Sequence, residues 1–366
     1  FVWVHGHRDA THGVCLTPTG VPTDWRVATA LLPTSVNAKG WGDYQAADYD
    51  ELVDTPVEMG AFWSGEFEAC GVPHRFVVAG TPPSFDGARL LRDTQRICET
   101  QIRFWHGEGK ATGRVIAPAH DRYVFMLNAV DNGYGGLEHR DGTALIAQRS
   151  DLPRLGDSKT SEGYMTLLGL ISHEYFHTWN VKRLRPREFE RYDWGRENHT
   201  ELLWFFEGLT SYYDDLLLHR SGLMDSTRYV QGLNKTINQV LQTPGRLVHS
   251  LAQSSFEAWT KYYRTDENSP NLTVSYYTKG ALVALCLDLS LRSEGHSLDK
   301  VMRALWKRCQ AGPMQESDLL AVLAEITYRP EITVALAAAE AEKMQKILDV
   351  LDELDDVQEV YHNAEL

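Results

Sequence analysis

The chain lacks any apolar run long enough to cross a bilayer as a helix, so no membrane span is expected. It also lacks cysteines at close spacing. The five present, Cys15, Cys70, Cys98, Cys286 and Cys309, are scattered and odd in number, which excludes a C-x-x-C metal cluster and offers no disulfide frame. Positive charge is in short supply: 36 Lys and Arg stand against 50 Asp and Glu, a formal net charge of −14, so a nucleic-acid surface is not expected. Residues Phe1 to His5 have neither the basic start nor the apolar core of an export leader, which favours the cytoplasm. Because the chain opens at Phe1, its true start is expected to have been lost.

What is present is ordinary in bulk and specific in detail. With 366 residues, 43% hydrophobic and 23% charged, the chain is long enough for two or three domains and a sizeable core. One pentapeptide stands out: His173-Glu174-Tyr175-Phe176-His177 fits H-E-x-x-H, and Leu167, Leu168, Leu170 and Ile171 before it predict a buried helix. Residues four apart lie on one helix face, so the two imidazoles can reach one metal ion, as in zinc hydrolases. Glu174 projects close to the same point and is placed to take a proton from water rather than to ligate.

Two imidazoles leave a catalytic zinc site short of a ligand. The best candidate is Glu207, the one acid within Leu202-Leu203-Trp204-Phe205-Phe206-Glu207-Gly208-Leu209. An unpaired carboxylate among such hydrophobes is costly to bury, whereas a metal-bound one is not. The plainer alternatives are ordinary helix histidines and a salt-bridged or capping acid.

Composition divides the chain into regions. Residues 1–85 read as strands and turns, including Phe76-Val77-Val78-Ala79. Residues 86–215 hold a helix near Leu90 to Trp105, a strand at Tyr123 to Leu127, a Gly-rich stretch and the two candidate metal helices. Helical periodicity dominates residues 216–322, and residues 323–366 form a separate tail. No internal repeat is present. Asn198, Asn234 and Asn271 begin N-x-Thr sequons of the kind that arise by chance.

The segments HEYFHTWNVKRLRP, LLWFFEGLTSYYDDLLLHR, YGGLEHR, YDELVDTPVEMG and SYYTKGALVALCLDL together resemble the glycyl aminopeptidase family within the gluzincin zinc metallopeptidases. The likeness spans roughly residues 1–322. It implies an α+β chain: a thermolysin-like catalytic domain, a mostly helical domain behind it and an N-terminal β domain, here truncated. A PDZ-like domain that often follows is not evident. It also implies one zinc ion per chain, a peptide substrate and a preference for small N-terminal residues.

The resemblance assigns further roles. Tyr277 matches the tyrosine that gluzincin aminopeptidases aim at the oxyanion of the tetrahedral intermediate, with its neighbour Tyr276 the alternative for that role and simple packing the plain reading of both. Gly135-Gly136-Leu137-Glu138-His139 is similar to an edge-strand motif in which glycines admit the substrate backbone and the acid, here Glu138, meets the free amino terminus. A plain turn is the competing reading there. His5, His7 and His12 are expected to face solvent. Lys182, Arg183 and Arg185 are expected to cap carbonyls and form ion pairs, and Trp179 and Trp204 to pack the metal helices together.

The last 44 residues, from Leu323, resemble the C-terminal segment of YebC-type proteins, a family associated with transcription or translation. Met344, Ile347, Leu348, Leu351 and Leu354 fall at helical spacing, and Val357 and Val360 then alternate, predicting strand, amphipathic helix, strand. A piece this small must dock, self-associate or stay mobile. Three functions therefore compete: a zinc aminopeptidase, a zinc endopeptidase or catalytically impaired peptide-binding fragment, and a regulatory protein acting through the tail. Acidity and the missing YebC domains count against the third.

Overall fold

The computed structural model describes residues 5–107, 119–328, 334–352 and 364–365. It begins with β1 (His12–Leu16), β2 (Arg26–Thr29), β3 (Leu32–Val36), β4 (Gly42–Ala46), the short helix α1 (Tyr49–Asp54) and β5 (Val57–Gly60). Strands β1, β4 and β3 form one antiparallel sheet in that order, while β2 and β5 form a separate ribbon. Val27, Leu31, Trp41, Tyr44 and Tyr49 make a small core between them. Asp48 caps the start of α1 by accepting from the Glu51 amide at 2.7 Å, and the helix ends at Asp54.

Next come β6 (Phe62–Ala69), β7 (Val72–Ala79), α2 (Gly87–His106), β8 (Tyr123–Val130), β9 (Gly135–His139) and β10 (Gly142–Gln148). The central sheet runs β6-β7-β8-β10-β9, parallel between β7, β8 and β10 and antiparallel at both edges. The interior strand β8, Tyr-Val-Phe-Met-Leu-Asn-Ala-Val, is a nearly continuous apolar run because both of its faces are covered. Composition grouped residues 62–79 with the N-terminal region, yet β6 and β7 belong to this sheet. Strand partnership is a nonlocal property, so alternating residues reveal a strand without revealing its sheet.

The helix α3 (Glu162–Phe176) starts at Ser161, whose hydroxyl accepts from the Tyr164 amide at 3.0 Å. It is buried on almost every face, as its run of Leu and Ile requires. The two-residue strand β11 (Arg185–Pro186) and the helices α4 (Leu203–Arg220), α5 (Ser226–Gln242), α6 (Leu251–Phe256), α7 (Ser269–Leu272), α8 (Tyr276–Ser293) and α9 (Leu298–Arg308) follow. Then come β12 (Pro313–Met314), α10 (Glu316–Tyr328), β13 (Val334–Ala335), α11 (Ala338–Asp352) and β14 (Ala364–Glu365). The chain is thus α+β, with a helical C-terminal part. One core runs through the central sheet, α2, α3 and α4 and on into α8 and α9, with Trp179 fully buried in it and Trp204 packed at its margin.

Leu319 and Val322 of α10 reach that core, and Leu323 and Ile326 pack against it, so the start of the tail docks on the helical part. On α11, Leu348 is buried and Ile347 is exposed. Leu354, Val357 and Val360 lie outside the described residues, as does the side chain of Leu351. No helix among the described residues is long and apolar enough to cross a membrane.

Candidate metal centre

Helices α3 and α4 pack face to face and bring together residues 30 or more positions apart. His173, His177 and Glu207 each offer a ligand atom, all within 4.8 Å of one another. His173 Nε2 lies 3.4 Å and His177 Nε2 3.2 Å from Glu207 Oε2. Donors around a tetrahedral zinc, at bond lengths of about 2.0–2.2 Å, are separated by about 3.3–3.6 Å, so the spacing of this set fits that ion. The opposite ring nitrogens are already engaged: His173 Nδ1 meets Asp214 Oδ2 at 3.0 Å, and His177 Nδ1 meets the Asn180 carbonyl at 2.8 Å. Both Nε2 atoms are therefore turned to one point, as in metal-ligating histidines.

Charge pairing also draws the three together. Burial works against a charged His177, but Glu207 outweighs it and raises the pKa to about 9. Burial likewise opposes a charged Glu207, yet the facing imidazoles bring its pKa down to about 2. For His173, burial is overcome by hydrogen bonds to Asp214 and Glu207, and its pKa rises.

Two features of the loop after α3 fix the His177 side. Asn180 donates from Nδ2 to the Phe206 carbonyl at 3.0 Å and to Thr210 Oγ1 at 3.2 Å, tying the loop to α4 beside Glu207. Val181 adopts φ 115°, a conformation costly for a β-branched residue, and its amide is held by the Leu184 carbonyl at 2.9 Å. The basic residues that follow are absorbed locally. Lys182 pairs with Asp54 at 2.6 Å and Arg183 with Asp141 at 2.9 Å, while Arg185 binds the Lys182 and Phe189 carbonyls.

Glu174 is 4% exposed, and its Oε2 has no hydrogen-bond partner. Burial raises its pKa to about 7 against the pull of His173 and His177, with Glu138 and Glu207 adding to the rise. The edge strand β9 passes directly over it. A Cβ on Gly136 would stand 2.2 Å from Glu174 Oε1, so glycine there makes room for the carboxylate. Gly135 has open space around it. Glu138 also turns toward the centre, its carboxylate within 4.8 Å of ligand atoms of Glu174 and His177.

Helix α8 supplies the two tyrosines. Gly208 of α4 and Gly280 of α8 meet back to back: a Cβ on Gly208 would stand 2.5 Å from Gly280 Cα. This close crossing brings the start of α8 over the ligands. Tyr277 lies with its ring 6.2 Å from that of His173 and its hydroxyl 3.3 Å from the Tyr263 hydroxyl. Tyr276 is 1% exposed and donates to Tyr263 at 3.3 Å. Burial, and then the Glu207 charge, raises the Tyr277 pKa, so that hydroxyl is a proton donor at neutral pH.

Residues 166–283 match the M61 glycyl aminopeptidase family and residues 1–61 the peptidase M61 N-terminal domain. The resemblance is to M61 peptidases. The M61-matched stretch includes His173, Glu174, His177, Glu207 and Tyr277. An aminopeptidase N family protein from Idiomarina loihiensis is 36% identical, with a TM-score of 0.82 over 97% of this chain and 57% of that one. The chain thus spans little more than half the length of that relative. An M1 zinc metallopeptidase from Deinococcus radiodurans shares the fold at 16% identity and a TM-score of 0.50, over 89% of this chain and 61% of that one. Residues 309–364 match the TACO1/YebC second and third domain, which accounts for the distinct tail.

Sequence reading passed over Asp214, Asn180, Asp54, Gly208 and Gly280. Asp214 had a usable signal, since it follows Glu207 by two helical turns and so shares its face. The others act through packing between distant segments and carry no local signal.

Proposed function

We propose that the chain is a zinc-dependent aminopeptidase that hydrolyses the N-terminal bond of peptides, with a preference for small residues such as glycine and alanine. The observation that carries this reading is the convergence of His173, His177 and Glu207 beside an unpartnered Glu174, under an edge strand that brings Glu138 to the same centre. The M61 match supports the choice of small residues.

His173, His177 and Glu207 would hold one zinc per chain, which when bound would supply Lewis acidity that polarises a carbonyl and makes water easier to deprotonate. Glu174, whose buried Oε2 has no hydrogen-bond partner, accepts the proton of the attacking water and passes it to the departing amine. Tyr277 donates a hydrogen bond from its hydroxyl to the oxygen on which charge develops. The open side of β9 at Gly135 and Gly136 pairs with the substrate backbone, and Glu138 binds the free ammonium. Fixing that amine beside the centre limits cleavage to one residue.

Glu138→Gln is expected to raise KM for a glycyl amide by about 10–100-fold, the range expected from losing a charge-assisted hydrogen bond. Zinc content stays at one per chain. An unchanged KM in steady-state kinetics removes Glu138 from the amine site.

Self-association through the tail belongs to the same reading, supported by the exposed Ile347 on α11. Sedimentation velocity is expected to show a concentration-dependent species that deleting residues 323–366 abolishes. Identical sedimentation of the two chains rules it out.

A further inference from the structure

The segment YDELVDTPVEMG resembles the family but contributes nothing to the metal centre itself, and its Asp54 reaches across to the catalytic part. Asp54 Oδ1 accepts from Lys182 Nζ at 2.6 Å and lies 3.3 Å from His139 Nδ1, while Oδ2 accepts from the Arg140 amide at 3.0 Å. Its side chain is 23% exposed. One carboxylate thus joins the end of α1, the loop after the metal helix and the tip of the β9–β10 hairpin.

That tip sits next to the proposed amine anchor. His139 pairs with Gly142 and Glu138 with Thr143, so the residue gripped by Asp54 directly follows Glu138. Among the described residues strand β9 pairs with β10 alone in the sheet, and its other end is two glycines with no side chains to pin it. Arg183 holds the same tip from the opposite side, donating to the Arg140 carbonyl and to Asp141, each at 2.9 Å. The space on the Glu174 side is small, because any side chain at position 136 would run into that carboxylate.

We propose that Asp54 is a positioning residue through which the N-terminal β unit sets the placement of Glu138 for the substrate ammonium. This rests on the aminopeptidase reading. It gives the N-terminal unit a part in substrate binding that it plays without touching substrate. The Lys182 ion pair keeps Asp54 in place from the metal-helix side, so the anchor strand and the ligand loop share one reference point.

The test is a double-mutant cycle with Asp54→Ala and Glu138→Gln, read as kcat and KM on a glycyl amide, with zinc content and hydrogen exchange of residues 135–139 measured on each protein. Asp54→Ala is expected to raise KM about 5–20-fold with kcat within about twofold, and to do nothing further in the Glu138→Gln background, as residues acting as a unit do. Zinc content stays at one per chain, and exchange on β9 quickens. Additive effects on KM, or a loss confined to kcat, overturn the proposal. If Glu138→Gln alone leaves KM unchanged, the amine-anchor reading fails first, and unaltered exchange on β9 in Asp54→Ala then overturns the positioning role separately. Should the alanine variant not fold, Asp54→Asn, which keeps an acceptor for the Arg140 amide, is expected to raise KM less but in the same direction. An unchanged KM in that variant overturns the proposal.

Discussion

Glu174→Gln is expected to bind one zinc per chain and to hydrolyse peptide substrates about 10²–10⁴-fold more slowly than the parent protein, the usual cost of losing a general base. Glutamine has the shape of glutamate, so it fits beneath Gly136 without displacing β9. It does not accept a proton at neutral pH. The unpartnered, buried Oε2 is the feature that makes this substitution informative, since few structural contacts are lost with the charge. Metal analysis alongside steady-state kinetics checks it. Activity within threefold of the parent would remove Glu174 from the proton-transfer role.

Glu207→Ala has the opposite profile. It deletes one of the three proposed ligands and leaves the His173 and His177 imidazoles without the carboxylate that lies beside both. After dialysis the variant is expected to retain only a small fraction of one zinc per chain and to lose activity in proportion. Asp214→Ala, which removes the partner of His173 Nδ1 and the acceptor of the Asp215 amide, should weaken zinc affinity by a milder factor of about 10–100. Full zinc retention by Glu207→Ala in metal analysis contradicts the ligand assignment, and an Asp214→Ala effect as large as that of Glu207→Ala contradicts the difference in their roles.

Much of this centre was legible because it obeys helical periodicity. That His173 and His177 share a face follows from their spacing, and Glu207 was visible as the one acid in an otherwise apolar stretch. The burial of α3 followed from its composition, and the tail announced itself as a different kind of segment. What escaped depends on the third dimension. The contact of Gly208 with Gly280 joins segments 72 positions apart, and only there does the absence of a side chain acquire meaning. Asp54 reads as an ordinary helix-end acid until the fold places Lys182, His139 and Arg140 around it. The role of Gly136 also changed. Read alone, it suggested room for a substrate backbone; in the fold it also makes room for Glu174. The assignment of β6 and β7 to the central sheet was hidden for the same reason, because a strand's sequence does not name its neighbour.

An aminopeptidase is distinguished from an endopeptidase by where the zinc-loaded chain cuts. A peptide beginning Gly-Ala, offered with a free amine and in N-acetylated form and followed by mass spectrometry, tests this directly. The free peptide is expected to lose glycine first and one residue at a time, and the acetylated form to be cleaved at least about tenfold more slowly, as loss of an ion-paired ammonium requires. Equal rates on the two forms, or a first cut at an internal bond, would contradict the aminopeptidase reading.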